Sequence, residues 1–271
     1  MTPSGLIAQL HHGGPVFGTL IVSPSPRWPE VVRGCGLDFV FIDTEHIALD
    51  RHQLSWMCQT YAALGLPALV RIPSPDPYAA TMALDGGAAG IIAPYVETAA
   101  QARELRGAVK LRPLKGQRLQ RLLAGAAAEP ELEAYLEEGA KERLLIVNIE
   151  SVPAIEALDE ILAVPGLDAV LIGPHDLSCS LGIPEQYGHP KFREAARTIF
   201  QKARAAGIGA GIHFWSDLGL EAEFLREGAN LLIHSADITL FQKHLRLELD
   251  AVKHAAGIAP EGQKHASAAN I

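Results

Sequence analysis

Short apolar runs and longer mixed stretches alternate along almost the whole chain. The runs are VFGTLIV (16–22), DFVFID (38–43), PALVRI (67–72), GIIAPYV (90–96), RLLIVNIE (143–150), DAVLIGP (168–174), IGAGIHF (208–214) and NLLIHS (230–235). They are apolar nearly throughout rather than at every second position, which is the pattern of parallel strands covered on both faces. Between them, segments such as DRHQLSWMCQTYAALG, TAAQARELRGAV and HPKFREAARTIFQKARAAG space apolar residues at helical intervals, and several stop at glycine. A last helix starts in ADITLFQKHL. Eight strand–helix units in about 250 residues predict an α/β fold, a (β/α)8 TIM barrel. A doubly wound open sheet is the alternative, and the count of eight favours closure.

One segment departs from this rhythm. Residues 111–142 form a long connection between the fourth and fifth strands, basic and glycine-containing at first, then an amphipathic acidic helix. Long connections in small domains tend to be lids or binding loops. The chain is therefore expected to be one barrel domain over 1–257, with a loop/helix insertion at 111–142 and a flexible alanine-rich tail at 258–271.

Composition narrows the function classes. Of 271 residues, 48% are apolar, enough for one large core, and the net charge is −8. Neither nucleic acid nor an anionic membrane surface is an expected partner, since both would want a basic face. Cys35, Cys58 and Cys179 are sparse and odd in number, giving neither a disulfide framework nor a CxxC metal signature. No stretch reaches the roughly 18 apolar residues of a membrane span, and the start lacks a basic region before an apolar run. A cytoplasmic protein is the expectation.

In a barrel the active site lies at the C-terminal ends of the strands. Here those ends carry Asp43, Glu45 and His46; Arg71; Asn148 and Glu150; His175 and Asp176; His213; and His234 with Ser235. Each has a plainer reading: Asp43, Glu150 or Asp176 as a cap of the next helix, Arg71 as a buried salt-bridge partner. Together they support more. Glu150 and Asp176, on neighbouring strands, suit a hard divalent cation such as Mg²⁺ or Mn²⁺ that keeps sites open for substrate oxygens. A histidine supplies a base and an arginine a partner for a developing oxyanion. Cation, base and arginine are what enolate chemistry on a 2-oxo acid requires. None of the candidate strand ends carries the lysine that a Schiff-base route needs.

The order FIDTEH, VRIP, APYV, VNIES, GPHDLS resembles the HpcH/HpaI aldolases, metal-dependent (class II) pyruvate aldolases, from about Gly18 to Leu249. The resemblance implies a lyase that cleaves a 4-hydroxy-2-oxo acid to an aldehyde and pyruvate, through an enolate held by metal and arginine. It also implies a barrel with a swapped C-terminal helix, assembled into a hexamer. Carried over by motif, Glu150 and Asp176 are the metal ligands, and Arg71 steadies the enolate oxygen. His46 acts through water as the base, and Asp85 pairs with it. Asp43 and Glu45 support the site, while Asn148, Pro174, His175, Ser178 and His213 join Arg71 in substrate binding. Departures from the family pattern fall on the aldehyde side: Asn148 for glutamine, Lys115-Gly116 for an arginine–glycine pair, and His175 and His213 at positions usually small or aliphatic. The extra histidines line a polar acceptor pocket, or are satisfied barrel-end residues, or draw metal preference toward Zn²⁺, Co²⁺ or Ni²⁺. Two other readings stay open: an enolate-forming lyase such as an oxaloacetate decarboxylase, and a non-catalytic oxo-acid-binding barrel. ITLFQKHLRLELDAV suits a swapped helix and equally a final helix packed on its own barrel.

Overall fold

A computed structural model describes residues 1–258. The expected tail therefore lies outside the described residues, except for Ile258. The chain opens with α1 (Pro3–His12) and then runs β1 (Val16–Leu20), α2 (Trp28–Arg33), β2 (Phe39–Asp43), α3 (Arg51–Ala63), β3 (Ala68–Arg71), α4 (Pro77–Asp85), β4 (Gly90–Ala93) and α5 (Ala99–Lys110). The second half is α6 (Gly116–Leu123), α7 (Pro130–Ala140), β5 (Leu144–Asn148), α8 (Val152–Glu156), α9 (Leu158–Leu162), β6 (Ala169–Ile172), α10 (Pro174–Ser180), α11 (Pro190–Ala205), β7 (Gly209–Phe214), α12 (Leu218–Arg226), β8 (Leu231–Ala236) and α13 (Asp237–Ala255). All eight strands pair in parallel and in chain order, and β8 closes on β1. The predicted barrel is the fold. Every strand falls within its predicted run except β8, which ends one residue later.

The apolar runs are continuous because each strand buries both faces. Phe39, Phe41, Leu69, Ile92, Ile146, Leu171 and Ile233 fill the barrel, while the intervening residues pack under the helices. Helix starts are set locally. Asp50 with Gln53 and Thr98 with Gln101 form reciprocal capping boxes at α3 and α5, which hold the helices that follow β2 and β4.

Two features depart from the sequence reading, and a third removes one of two arrangements it left open. α1 was not foreseen; its Leu6 and Leu10 are fully buried in the barrel's interior cluster and close the end where the strands begin. The 111–142 segment is two helices packed on α5, not a lid. It follows a helix and precedes a strand, so it sits at the strands' N-terminal side, away from the mouth. α13, finally, does not return its apolar residues to its own barrel: Phe241 is 61% exposed, Leu247 and Val252 64%. Asp237 anchors the helix start by accepting from the Val22 and Ser23 amides, and of α13 it alone is buried. Among the described residues no helix is long and apolar enough to cross a membrane.

The β7–β8 pairing leaves no room for a side chain at Gly211, which sits opposite Leu231. A Cβ there would lie 2.4 Å from the Leu231 carbonyl oxygen and 2.3 Å from its side chain. Because backbone is in the way, Gly211→Ala is expected to destabilise the protein by about 3 kcal/mol in urea denaturation.

Candidate active site

β2 and β3 pair with Asp43 directly beside Arg71, so the two side chains meet inside the barrel. Asp43 is fully buried and accepts from Arg71 at both oxygens, Nε at 2.8 Å and Nη2 at 2.6 Å. Burial pushes the Asp43 carboxyl up, yet the guanidinium's hydrogen bonds and charge prevail and hold it below the usual carboxylate range. Arg71 stays charged, flanked also by Glu45, whose Oε2 is 3.1 Å from Nε but outside hydrogen-bond geometry. Its Nη1 makes no hydrogen bond among the described residues, and Arg71 lines the cavity at the mouth. His46 extends to the rim, its Nε2 3.7 Å from Glu45 Oε1.

Across the mouth, β5 delivers Asn148 and then Glu150. Glu150 is 5% exposed, accepting from the Tyr95 amide at 2.7 Å and from Asn148 Nδ2 at 2.9 Å. Burial dominates its titration and raises it to about 7, against those two hydrogen bonds and with added repulsion from Asp176 and Glu45. The surroundings are shaped to this carboxylate. Tyr95 takes a left-handed backbone, φ 55°, at the residue whose N–H reaches Glu150. Gly173 leaves space that a Cβ would fill at 2.5 Å from Glu150 Oε2. The buried Asn148 Oδ1 has no partner. Asp176 follows on the first turn of α10, exposed to the opening.

These groups surround one cavity of about 390 Å³ lined by Arg71, Asn148, Asp176, His46, His175, Pro174 and His213, with Phe41 and Trp215 as aromatic walls. The structure thus brings together at one mouth nearly all the residues singled out in the sequence. His213 is a neutral wall residue. Burial, with Arg71 nearby, lowers it to about 4; its Nε2 donates to the Ser235 carbonyl at 3.1 Å, and its ring meets Phe41 and Trp215 edge-on. His234 faces Glu221 at 2.8 Å.

Two candidates lie elsewhere. Asp85 is the last residue of α4, which descends from the mouth; it pairs with Arg112 and lines a separate cavity with His52, so this chain does not bring it to its own His46. Ser178 is fully buried, donating to the His175 carbonyl at 2.8 Å and accepting from the Glu185 amide at 2.9 Å, so it pins α10 rather than facing the cavity. Trp215 and the Tyr95 amide were missed by sequence reasoning. Trp215 follows directly on the β7 run, and the strained backbone at Tyr95 leaves no mark in composition. Among the described residues, no group of three or more His, Cys, Asp or Glu side chains is gathered as a complete metal cluster.

A model of the HpcH/HpaI aldolase/citrate lyase family matches residues 19–243. A 2-keto-3-deoxy-L-rhamnonate aldolase of Klebsiella pneumoniae is 32% identical over 244 residues, 90% of this chain and 91% of that protein. Among solved structures, an HpcH/HpaI aldolase from Desulfitobacterium hafniense superimposes with a TM-score of 0.81 at 30% identity, covering 94% of this chain and 99% of that one. The citrate synthase SbnG gives 0.79 at 28% identity, covering 93% and 98%.

Two outcomes follow from the geometry. Asp43→Asn leaves the Arg71 charge without its buried partner, and denaturant titration should show a loss of about 3–5 kcal/mol. His213 binds its proton more readily unfolded, near 6.5, than folded, near 4. Its contribution is therefore intact above pH 6.5 and lost as pH falls toward 4. Wild-type stability should drop relative to His213→Gln by about 2–3 kcal/mol between pH 7 and pH ~4.5.

Proposed function

This chain belongs to the HpcH/HpaI aldolase/citrate lyase family, and from that premise we propose that it is a divalent-metal-dependent aldolase. The reaction is cleavage of a 4-hydroxy-2-oxo acid to pyruvate and an aldehyde. The observation that carries this reading is the buried Glu150, held near neutrality by desolvation at the same mouth as Asp176 and the free Nη1 of Arg71. A buried carboxylate raised this far is relieved by a cation, and the unpartnered Asn148 Oδ1 beside it adds a further oxygen.

Glu150 and Asp176 are the residues that would hold the metal. Two carboxylates leave room for substrate oxygens and water, as Mg²⁺ or Mn²⁺ prefers; Co²⁺, Ni²⁺ or Zn²⁺ are the alternatives that neighbouring histidines would favour. When bound, the cation supplies Lewis acidity that favours enolisation of the 2-oxo acid.

The chain's own residues supply the rest. Arg71, locked by Asp43, presents a fixed positive charge to the enolate oxygen, so little reorganisation is needed as charge develops. His46, at the rim beside Glu45, takes the C4 hydroxyl proton, directly or through one water. The C3–C4 bond then breaks, the aldehyde leaves along the wall of His175, His213 and Trp215, and a proton returned to C3 completes pyruvate. Asn148 orients Glu150, and Pro174 closes the pyruvate side.

Likeness to a citrate synthase at 28% identity favours a second reading. In it the same enolate-forming half of the mouth decarboxylates oxaloacetate or condenses the enolate with another acceptor. The reading also includes a cytoplasmic homo-oligomer, a hexamer in which the exposed apolar residues of α13 are covered by a second copy.

In a coupled assay for pyruvate release from 4-hydroxy-2-oxo acids, EDTA should reduce turnover at least 100-fold, and Mg²⁺ or Mn²⁺ should restore it. Activity that survives complete metal removal contradicts the proposal. Arg71→Lys should lower kcat by about 10²–10³ with little change in KM. Faster turnover of oxaloacetate than of any hydroxy-oxo acid would favour the second reading. Light scattering should give six times the 29.0 kDa chain mass.

A further inference from the structure

A second cavity lies away from the mouth. About 500 Å³ opens between α1, α5, the α6–α7 pair and the loop before β6. Its origin is local. α6 lies close on α5 over Gly107, where a Cβ would meet Leu123 at 3.1 Å. α7 sends Leu136 inward. The connection between the two helices is Ala126-Ala127-Ala128, whose methyl groups are too small to fill the space.

Three cations and three carboxylates line this cavity, and they are not all paired with one another. Lys110 is neutralised by Asp168 at 2.6 Å and also donates to the Ala140 and Arg143 carbonyls. One turn earlier on α5, Arg106 is half-buried and has no hydrogen bond or ion pair within the described chain. Its guanidinium is partly desolvated, which works against its charge. Glu133 and Glu137 line the cavity from α7 without pairing with it, and Lys141, just past α7, is paired with Glu138. Leu111, Leu122, Leu136 and Ile7 supply apolar wall. An apolar pocket beside an unpaired, partly desolvated cation suits an occupant with an anionic head and an apolar body.

We propose that this cavity is a binding site for a small organic anion, a carboxylate on an apolar body, with the carboxylate paired to Arg106 and the body against Leu122 and Leu136. The site is separate from the mouth and stands independently of the reaction assigned there.

Octanoate and octan-1-ol serve as probes, titrated calorimetrically into the full-length chain. Octanoate should bind once per chain and at least 10-fold more tightly than octan-1-ol. Arg106→Gln should abolish that preference, and Arg106→Lys should retain part of it. Ala127→Phe, which fills the cavity from an exposed position, should remove binding of both probes. Equal affinity for the two probes in the wild type, or octanoate binding unchanged in both Arg106→Gln and Ala127→Phe, overturns the proposal. So does no detectable octanoate binding at millimolar concentration.

Discussion

Glu150 places a carboxylate where water scarcely reaches, and much of the mouth is arranged around that unfavourable burial. Two hydrogen bonds partly offset it, one from a backbone amide held in a left-handed conformation and one from Asn148. Gly173 gives way to it sterically. The positive charge nearest in the mouth, Arg71, is already committed to Asp43 through a two-pronged pair. The shortfall of positive charge around Glu150 is what a dication would supply, and Asp176 stands exposed at the opening as the second carboxylate proposed to hold it.

The Arg71–Asp43 pair and the Glu150 environment divide the labour of the mouth. The first is a fixed cation whose position is settled by strand register, because β2 and β3 set the two residues side by side. The second is a carboxylate whose charge depends on what binds. His213 adds a neutral wall: it keeps its proton on Nε2 for the Ser235 carbonyl and brings no charge near Arg71. The cavity thus sets the Arg71 charge against an aromatic, uncharged wall: Phe41 lies under the guanidinium at 5.5 Å, and His213 and Trp215 continue it. Such a lining suits a substrate with an anionic oxo-acid end and a less polar remainder.

Much of this was legible in the chain, for a physical reason. Parallel barrel strands are buried on both faces, so they announce themselves as unbroken apolar runs, and the polar residue that ends a run lands at the mouth. His46, Arg71, Glu150 and Asp176 were found in that way. Other features obey no such rule. Asp85 follows its arginine fourteen residues on, but at the end of α4 it pairs with Arg112 and lines a separate cavity. Ser178 shares a motif with Asp176, yet two residues further along α10, about half a turn, it faces inward. Whether 111–142 formed a lid depended on which end of the barrel a helix-to-strand connection occupies. α1 gave a capping threonine and a closing glycine, but its two buried leucines are too few to stand out against a polar helix.

The central claim is that Glu150 and Asp176 together hold one divalent cation. Titration of the metal-free protein with Mn²⁺, with free ion counted by electron paramagnetic resonance and oxalate present as an enolate mimic, tests it directly. One Mn²⁺ bound per chain, lost in both Glu150→Gln and Asp176→Asn variants that remain folded, is the predicted result. Unchanged Mn²⁺ binding in both variants would contradict the account.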